Sequence, residues 1–285
     1  MGRRLLLNLL LVAVAIGLAT FIYLQAGKTP ETGPDEITSI DPGTVTSIRL
    51  TRLQAEPVEF SKRDDHWFIH GEPELRADDF QVGTLLALTG ARTDRHYPAD
   101  TLDLQPMGLQ PPQATAILGN ARFDIGSTDP IDKRRYVLTG ATVYLVPDRF
   151  QHLLNAHYTN FVDRRLLPAG AVVTGLSLPG LSLALDEENH WQLQPADPAV
   201  SADAIRLLVS AWRNARALYV REHDGDSGQA VQVRLQGSEQ PLEFLLRTNE
   251  ADIILARPDR GIQYHLTAEA GRALLEIPAD THEPQ

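Results

Sequence analysis

There is no cysteine in this 285-residue chain, which excludes disulfides, thiolate metal sites and thiol catalysis together. Basic residues are also scarce, with 26 Lys and Arg against 37 Asp and Glu and a formal charge of −11. A surface of that sign repels phosphate backbones, so nucleic acid is not an expected partner. Several catalytic signatures are missing as well: Gly-x-Ser-x-Gly, His-Glu-x-x-His and a phosphate-cradling glycine loop. Gly175 to Gly180 resembles a nucleophile elbow only superficially, because its glycines are wrongly spaced and it lies inside a strand pattern. The chain therefore reads as non-enzymatic, with no catalytic residue, cofactor or metal expected.

What is present begins with one long apolar run, Leu5 to Leu24, broken only by Asn8 and preceded by Arg3 and Arg4. About 20 residues at 1.5 Å rise span the ~30 Å core of a bilayer. The basic tip predicts a cytoplasmic N-terminus and an exported remainder. A cleaved signal peptide is the weaker reading, since the core is too long and Leu24-Gln25-Ala26 makes a poor cleavage site. Pro30, Gly33 and Pro34 then mark a short stalk. The residues beyond it suffice for one large domain or two of ordinary size.

An internal duplication favours two. Val45 to Thr51, Val58 to Ser61 and His66-Trp67-Phe68-Ile69 alternate as three strands, and Val173 to Leu178, Leu181 to Leu185 and His190-Trp191-Gln192-Leu193 repeat the order. Ala77-Asp78 and Ala202-Asp203 each open an amphipathic helix. Four further strands follow in each half, from Ala114 to Val146 and from Ala230 to Leu266, with short helices at Leu153-Leu154 and Leu274-Leu275. Two β-β-β-α-β-β-β-β-α units of about 120 residues account for this order most economically. Trp67 and Trp191 are expected to anchor the two cores.

The remaining candidates for chemistry are weak. His66 and His70 share a strand face but lie ~13 Å apart, too far for one metal ion. His152 and His157 diverge around a helix. Asp224 and Asp226 resemble the first positions of a calcium loop, but Gly228 stands where a third ligand is needed and Leu235 where the bidentate Glu belongs. Two basic clusters, Arg134-Arg135 beside Lys133 and Arg164-Arg165, are the candidate docking sites for an acidic partner or for anionic headgroups near the tether, against the plainer reading as solvated faces or intramolecular ion pairs.

The ordered set of Asp65-His-Trp-Phe-Ile69, Arg76-Ala-Asp78, Met107-Gly-Leu-Gln-Pro-Pro112, Phe123-Asp-Ile-Gly126, Arg135-Tyr-Val137, Val143-Tyr-Leu145 and Phe161-Val-Asp-Arg-Arg-Leu-Leu167 resembles the bacterial family called domain of unknown function 4340. It covers roughly residues 40 to 170, with the second half a diverged copy. The resemblance implies a cell-envelope protein encoded beside an ABC-type transporter and a gliding-motility-like auxiliary subunit. It carries over no catalytic residue. The expectation is thus an α+β protein divided into a tip and transmembrane anchor (1–27), a stalk (28–39), two tandem strand-rich repeats (40–167 and 168–278) and a tail (279–285). It would cross the bacterial inner membrane once, with its bulk periplasmic. Its expected role is as an accessory or scaffold for polytopic transporter subunits. A glycan- or lipid-binding module using the interdomain cleft and Trp212, Tyr97 or Tyr219 is the alternative, and an envelope hydrolase comes third.

Overall fold

The computed structural model describes residues 35–278 apart from 54, 155, 250 and 251. In chain order the elements of the first half are β1 (Asp35–Glu36), β2 (Ser47–Arg52), β3 (Ala55–Arg63), β4 (His66–Ile69), β5 (Leu75–Arg76), α1 (Asp79–Leu86), β6 (Arg92–Thr93), β7 (His96–Pro98), β8 (Ala114–Leu118), β9 (Ala121–Thr128), β10 (Arg134–Thr139), β11 (Thr142–Pro147) and α2 (Gln151–Leu154). The second half adds β12 (Val173–Leu178), β13 (Leu181–Leu185), β14 (Trp191–Gln194), α3 (Ala202–Asn214), β15 (Tyr219–Glu222), β16 (Gln229–Leu235), β17 (Leu242–Thr248), β18 (Asp252–Arg257), β19 (Ile262–Thr267) and α4 (Ala268–Leu275).

Two large sheets dominate. The first has the order β5-β4-β3-β2-β8-β9-β10-β11-β7, the second β14-β13-β12-β16-β17-β18-β19-β15, and β1 with β6 makes a small third sheet. Leave out β5 and the two large orders correspond strand for strand. Alternation sets the inner face of each: Ile48, Leu50, Phe60, Trp67 and Ile69 in the first, Leu176, Leu183, Val231, Val233 and Phe244 in the second are buried.

The helices are pinned at their N-termini by the side chains that precede them. Asp78 accepts from the Phe80 and Gln81 amides, Ser201 from Ala204 and Thr267 from Ala270. Each helix then lays an apolar stripe on its sheet. Trp212 is fully buried and donates Nε1–H to the Leu274 carbonyl at 2.8 Å, which ties α3 to α4. Gly271 lets α4 approach β18, where a Cβ would meet Ile253 at 2.4 Å. In the first sheet Gly126 does the same for the Met107 to Pro112 loop: its Cβ would fall 2.3 Å from the Met107 carbonyl, which accepts from the Ser127 amide at 2.8 Å.

Two expectations are corrected. The fold is mostly β rather than α+β, because the four described helices run only 8, 4, 13 and 8 residues while strands form three sheets. Nor do those helices support a single-pass inner-membrane placement with a periplasmic bulk, since no helix among the described residues is long and apolar enough to cross a membrane. The longest, α3, reaches only ~20 Å and carries Asp203, Arg206 and Arg213. The run Leu5 to Leu24 lies outside the described residues.

The two matched tryptophans differ in burial. Trp67 is enclosed in the core, whereas Trp191, on the edge strand β14, is half-buried. Trp67→Ala should therefore cost about 3–5 kcal/mol in denaturant unfolding, and Trp191→Ala less than about 2 kcal/mol. Equal losses would contradict the packing described.

Candidate functional site

Residues 161–167 form a strap whose backbone bonds to both halves of the chain, to the end of β5 on one side and to the connection between α3 and β15 on the other. On one side Ala77 and Val162 make an antiparallel bridge, the Asp78 amide donates to the Phe161 carbonyl at 2.6 Å, and the Asp163 amide donates to Arg76 O at 2.9 Å. On the other, Arg165 bridges to Arg216, the Ala217 amide donates to Arg164 O at 2.7 Å, and the Leu166 amide to Ala215 O at 3.2 Å. Phe161 anchors it, fully buried and edge-on to Phe60 at 5.2 Å.

Beside the strap lies a cleft of about 570 Å³. Its apolar wall includes Leu75, Val162, Leu166, Leu167, Ile262 and Tyr264, and four arginines, Arg76, Arg165, Arg257 and Arg260, stand around it with Glu74 and Asp163. Burial pushes the Tyr264 phenol up to about 12, so it stays neutral. A second cleft of about 510 Å³ shares Leu75 and Arg260 with the first. At the junction Arg260 Nη1 donates across the halves to the Glu74 carbonyl at 2.9 Å.

Each of these arginines is held by an acid close in sequence. Arg165 grips Asp163 through Nε and Nη2 at 2.9 and 2.8 Å, Arg257 grips Asp259 at 2.8 and 2.7 Å, and Arg76 reaches Asp79 at 2.8 Å and His66 Nδ1 at 2.7 Å. The Arg257 guanidinium holds Asp259 below the usual carboxylate range, the wrong direction for a general acid at neutral pH.

The four basic candidates part company. Arg135 is 3% exposed and fully engaged: Nε and Nη2 bond Asp148 at 2.8 and 2.7 Å, and Nη1 bonds the Gly126 carbonyl at 2.6 Å. It is structural and out of a partner's reach. Arg134 is paired with Asp94 at 2.9 Å, and Arg165 faces the cleft. Arg164 is free enough to dock: its Nε lies 3.7 Å from Asp78 Oδ2, and Arg216 Nη2 approaches the same oxygen at 3.8 Å. Arg216 carries no signal in the sequence, and only the fold brings it beside Arg164. Of the three aromatics proposed for ligand stacking, Trp212 is buried, Tyr97 lies on the edge strand β7 and Tyr219 stacks on His265 at 4.5 Å. None lines the cleft.

The oxygen-rich loop is claimed internally, since Arg247 bonds Asp224 at 2.8 Å and Asp226 at 2.5 Å. That pairing holds Asp224 at about 2. Asp186, Glu188 and His190 could bring three ligand atoms within 4.8 Å of one another. However, Asp186 already accepts from the Glu188 and His190 amides and from Gln192 Nε2, which is what shapes the β13–β14 turn.

Strap, cleft and sheets define an antiparallel β protein built on two large sheets of one strand order. The chain belongs to the family described as Domain of unknown function (DUF4340), whose model matches residues 67–228, from β4 through the strap and past β15. No curated protein and no solved structure matches it.

The Arg135–Asp148 pair gives a test. Burial raises the Asp148 pKa, but the bonds from Arg135 and Thr128 outweigh it, so the native value lies below normal. Such a group stabilises above the unfolded value of about 3.9, and that contribution is lost as pH falls through the native value. Arg135→Ala should cost about 3–5 kcal/mol at neutral pH and should abolish this part of the acid dependence. An unchanged acid titration of stability in the variant would refute the assignment.

Proposed function

We propose that the chain is a non-enzymatic accessory or scaffold module that docks onto an acidic, partly apolar surface of a partner subunit. The assembly implied by the family resemblance is an ABC-type transport complex with polytopic subunits. One observation supports docking most: around the buried Asp78, two guanidiniums share one carboxylate at long range while Phe80 and Leu218 stand exposed beside them, at 77% and 57%. The Phe80 amide bonds Asp78 Oδ1 at 2.9 Å, and Arg164 Nη1 reaches the Leu218 carbonyl at 3.4 Å, so the backbones of both exposed apolar residues lie next to the charged group. Arginine with exposed apolar groups is the composition of interface anchors.

The ligand-binding alternative is favoured by the cleft, whose volume falls within the range of small-molecule sites. A hydrolase stands third, since the cleft's acids are tied to guanidiniums.

The docking reading is tested by crosslinking and copurification of the full chain. Replacing Arg164 and Arg216 together by Gln should reduce partner recovery several-fold, and raised salt should weaken wild-type recovery, because exposed charges are screened within ~8–10 Å. The fold should hold, since Asp78 keeps its bonds from the Phe80 and Gln81 amides and the two guanidiniums lie 3.7 and 3.8 Å away on half-exposed side chains; an unchanged circular-dichroism spectrum of the variant checks this. Undiminished recovery from the double variant would sink the docking face.

A further inference from the structure

We propose that the crossover 223–228 of the second half is a latch that mild acid releases, because a proton taken up by His265 inverts the hydrogen-bond chain through Gln263 that closes it. The inference is independent of both the docking face and the cleft.

Strand order carries this connection across the second sheet. From β15 at the edge the chain returns to β16 past β19, β18 and β17. Ile253 faces α4, whereas its neighbour Ile254 pairs with Arg247 and His265, so those two side chains stand on the face away from α4. Arg247 holds the crossover to that face through Nη1 to Asp226 and Nη2 to Asp224 at 2.8 Å. The matching crossover of the first half, residues 99–113 between β7 and β8, is locked by backbone instead. There the Gln113 amide donates to Ile125 O at 2.9 Å and the Ser127 amide to Met107 O at 2.8 Å. Residues 224–227 make no backbone–backbone bond among the described residues. Their hold is the Arg247 clasp.

Arg247 also fixes the roles along the chain, because a guanidinium only donates. Its Nη2 bonds Gln263 Oε1 at 2.7 Å, so the Gln263 amide nitrogen, a donor, faces His265 Nε2 at 3.1 Å. That ring nitrogen must accept, and the neutral ring carries its proton on Nδ1. A proton added at Nε2 sets donor against donor. Gln263 accepts it only by turning its amide over, which aims the NH2 group at Arg247 and opposes the clasp.

The surroundings of His265 set the direction. Tyr219 on β15 stacks on the ring at 4.5 Å with Arg221 over Tyr219 at 5.0 Å, Arg247 stands on β17, and Asp252 Oδ2 on β18 lies 3.8 Å from Nδ1. Burial first, then Arg221 and Arg247, holds the imidazole below its ordinary value against the pull of Asp252. Asp224, held at about 2 by Arg247 first and by Gln263 among lesser donors, stays charged throughout. An opened ring titrates near about 6.5. Closure is therefore complete above that pH and weakens as pH falls toward the lower native value. Arg247 Nε, His265 Nδ1 and His223 Nδ1 are buried without a partner, and opening returns them to water.

The absence of cysteine lets a single Ser227→Cys, at an exposed loop position, carry a nitroxide on the otherwise intact full-length chain. Between about pH 7.5 and about pH 5 the label's rotational correlation time should fall reversibly by roughly twofold or more, in one protonation step. Nitrogen NMR at the upper pH should find the His265 ring proton on Nδ1. His265→Gln keeps a donor and an acceptor but gains no proton, so it should abolish the step. Gln263→Glu accepts from both Arg247 and an imidazolium, so it should keep the loop closed in acid. His223, 3.8 Å from Asp224, is not the trigger, and His223→Gln should leave the step in place. Circular dichroism at neutral pH checks that each variant is folded. Unchanged label motion in the wild type, a ring proton on Nε2 at neutral pH, or a step that survives His265→Gln or Gln263→Glu would each overturn the proposal.

Discussion

The backbone hydrogen bonds of the strap hold this molecule in its working shape. Two antiparallel sheets of one strand order have no need to sit at any fixed angle. A linker that bonds only to water would leave them free. Here residues 161–167 are paired to Arg76-Ala77-Asp78 on one side and to Ala215-Arg216-Ala217 on the other, so the connector acts as a short shared strand. Phe161, Val162, Leu166 and Leu167 are buried, and they join the two sheets into one continuous apolar cluster. The cleft and the docking face both exist because that seam fixes which residues meet.

Charge is arranged in keeping with this. The strap's own sequence, Asp163-Arg164-Arg165, supplies one acid and two guanidiniums, and the fold sends them to different tasks. Arg165 is held by Asp163 at the cleft, while Arg164 turns to the helix cap Asp78, where it meets Arg216. Asp78 thus satisfies the α1 amides and also sits beside two positive charges, a favourable place for an anion at a helix N-terminus. By contrast, Arg135 is consumed inside the first sheet by Asp148.

Much of the strand order was legible because period-two alternation with Gly-Asn, Gly-Ser and Asp-rich turns is a strong local signal. Ala114–Leu118, Val173–Leu178 and Leu181–Leu185 fall at the predicted bounds. The strands without a sequence signal are β1, β5, β6 and β7, two or three residues long, and β15, which follows α3 after four residues. Segments that short have no period, and their partners are distant in sequence. The site was less legible still. Arg134-Arg135 and Arg164-Arg165 look alike in sequence, yet one member of the first pair is buried, because its acid lies 13 residues on across a strand turn. Arg216, Arg257 and Arg260 lie 49 residues or more beyond the end of the strap and become neighbours only through the seam.

The most direct measurement is hydrogen exchange of four strap-linked amides, those of Asp78, Asp163, Leu166 and Ala217. If the strap couples the sheets, these should exchange as slowly as amides in β9 and β17 and open with them in one cooperative event. Fast exchange at all four positions, with both sheets still protected, would mean that the halves are joined by an ordinary linker and would contradict the account.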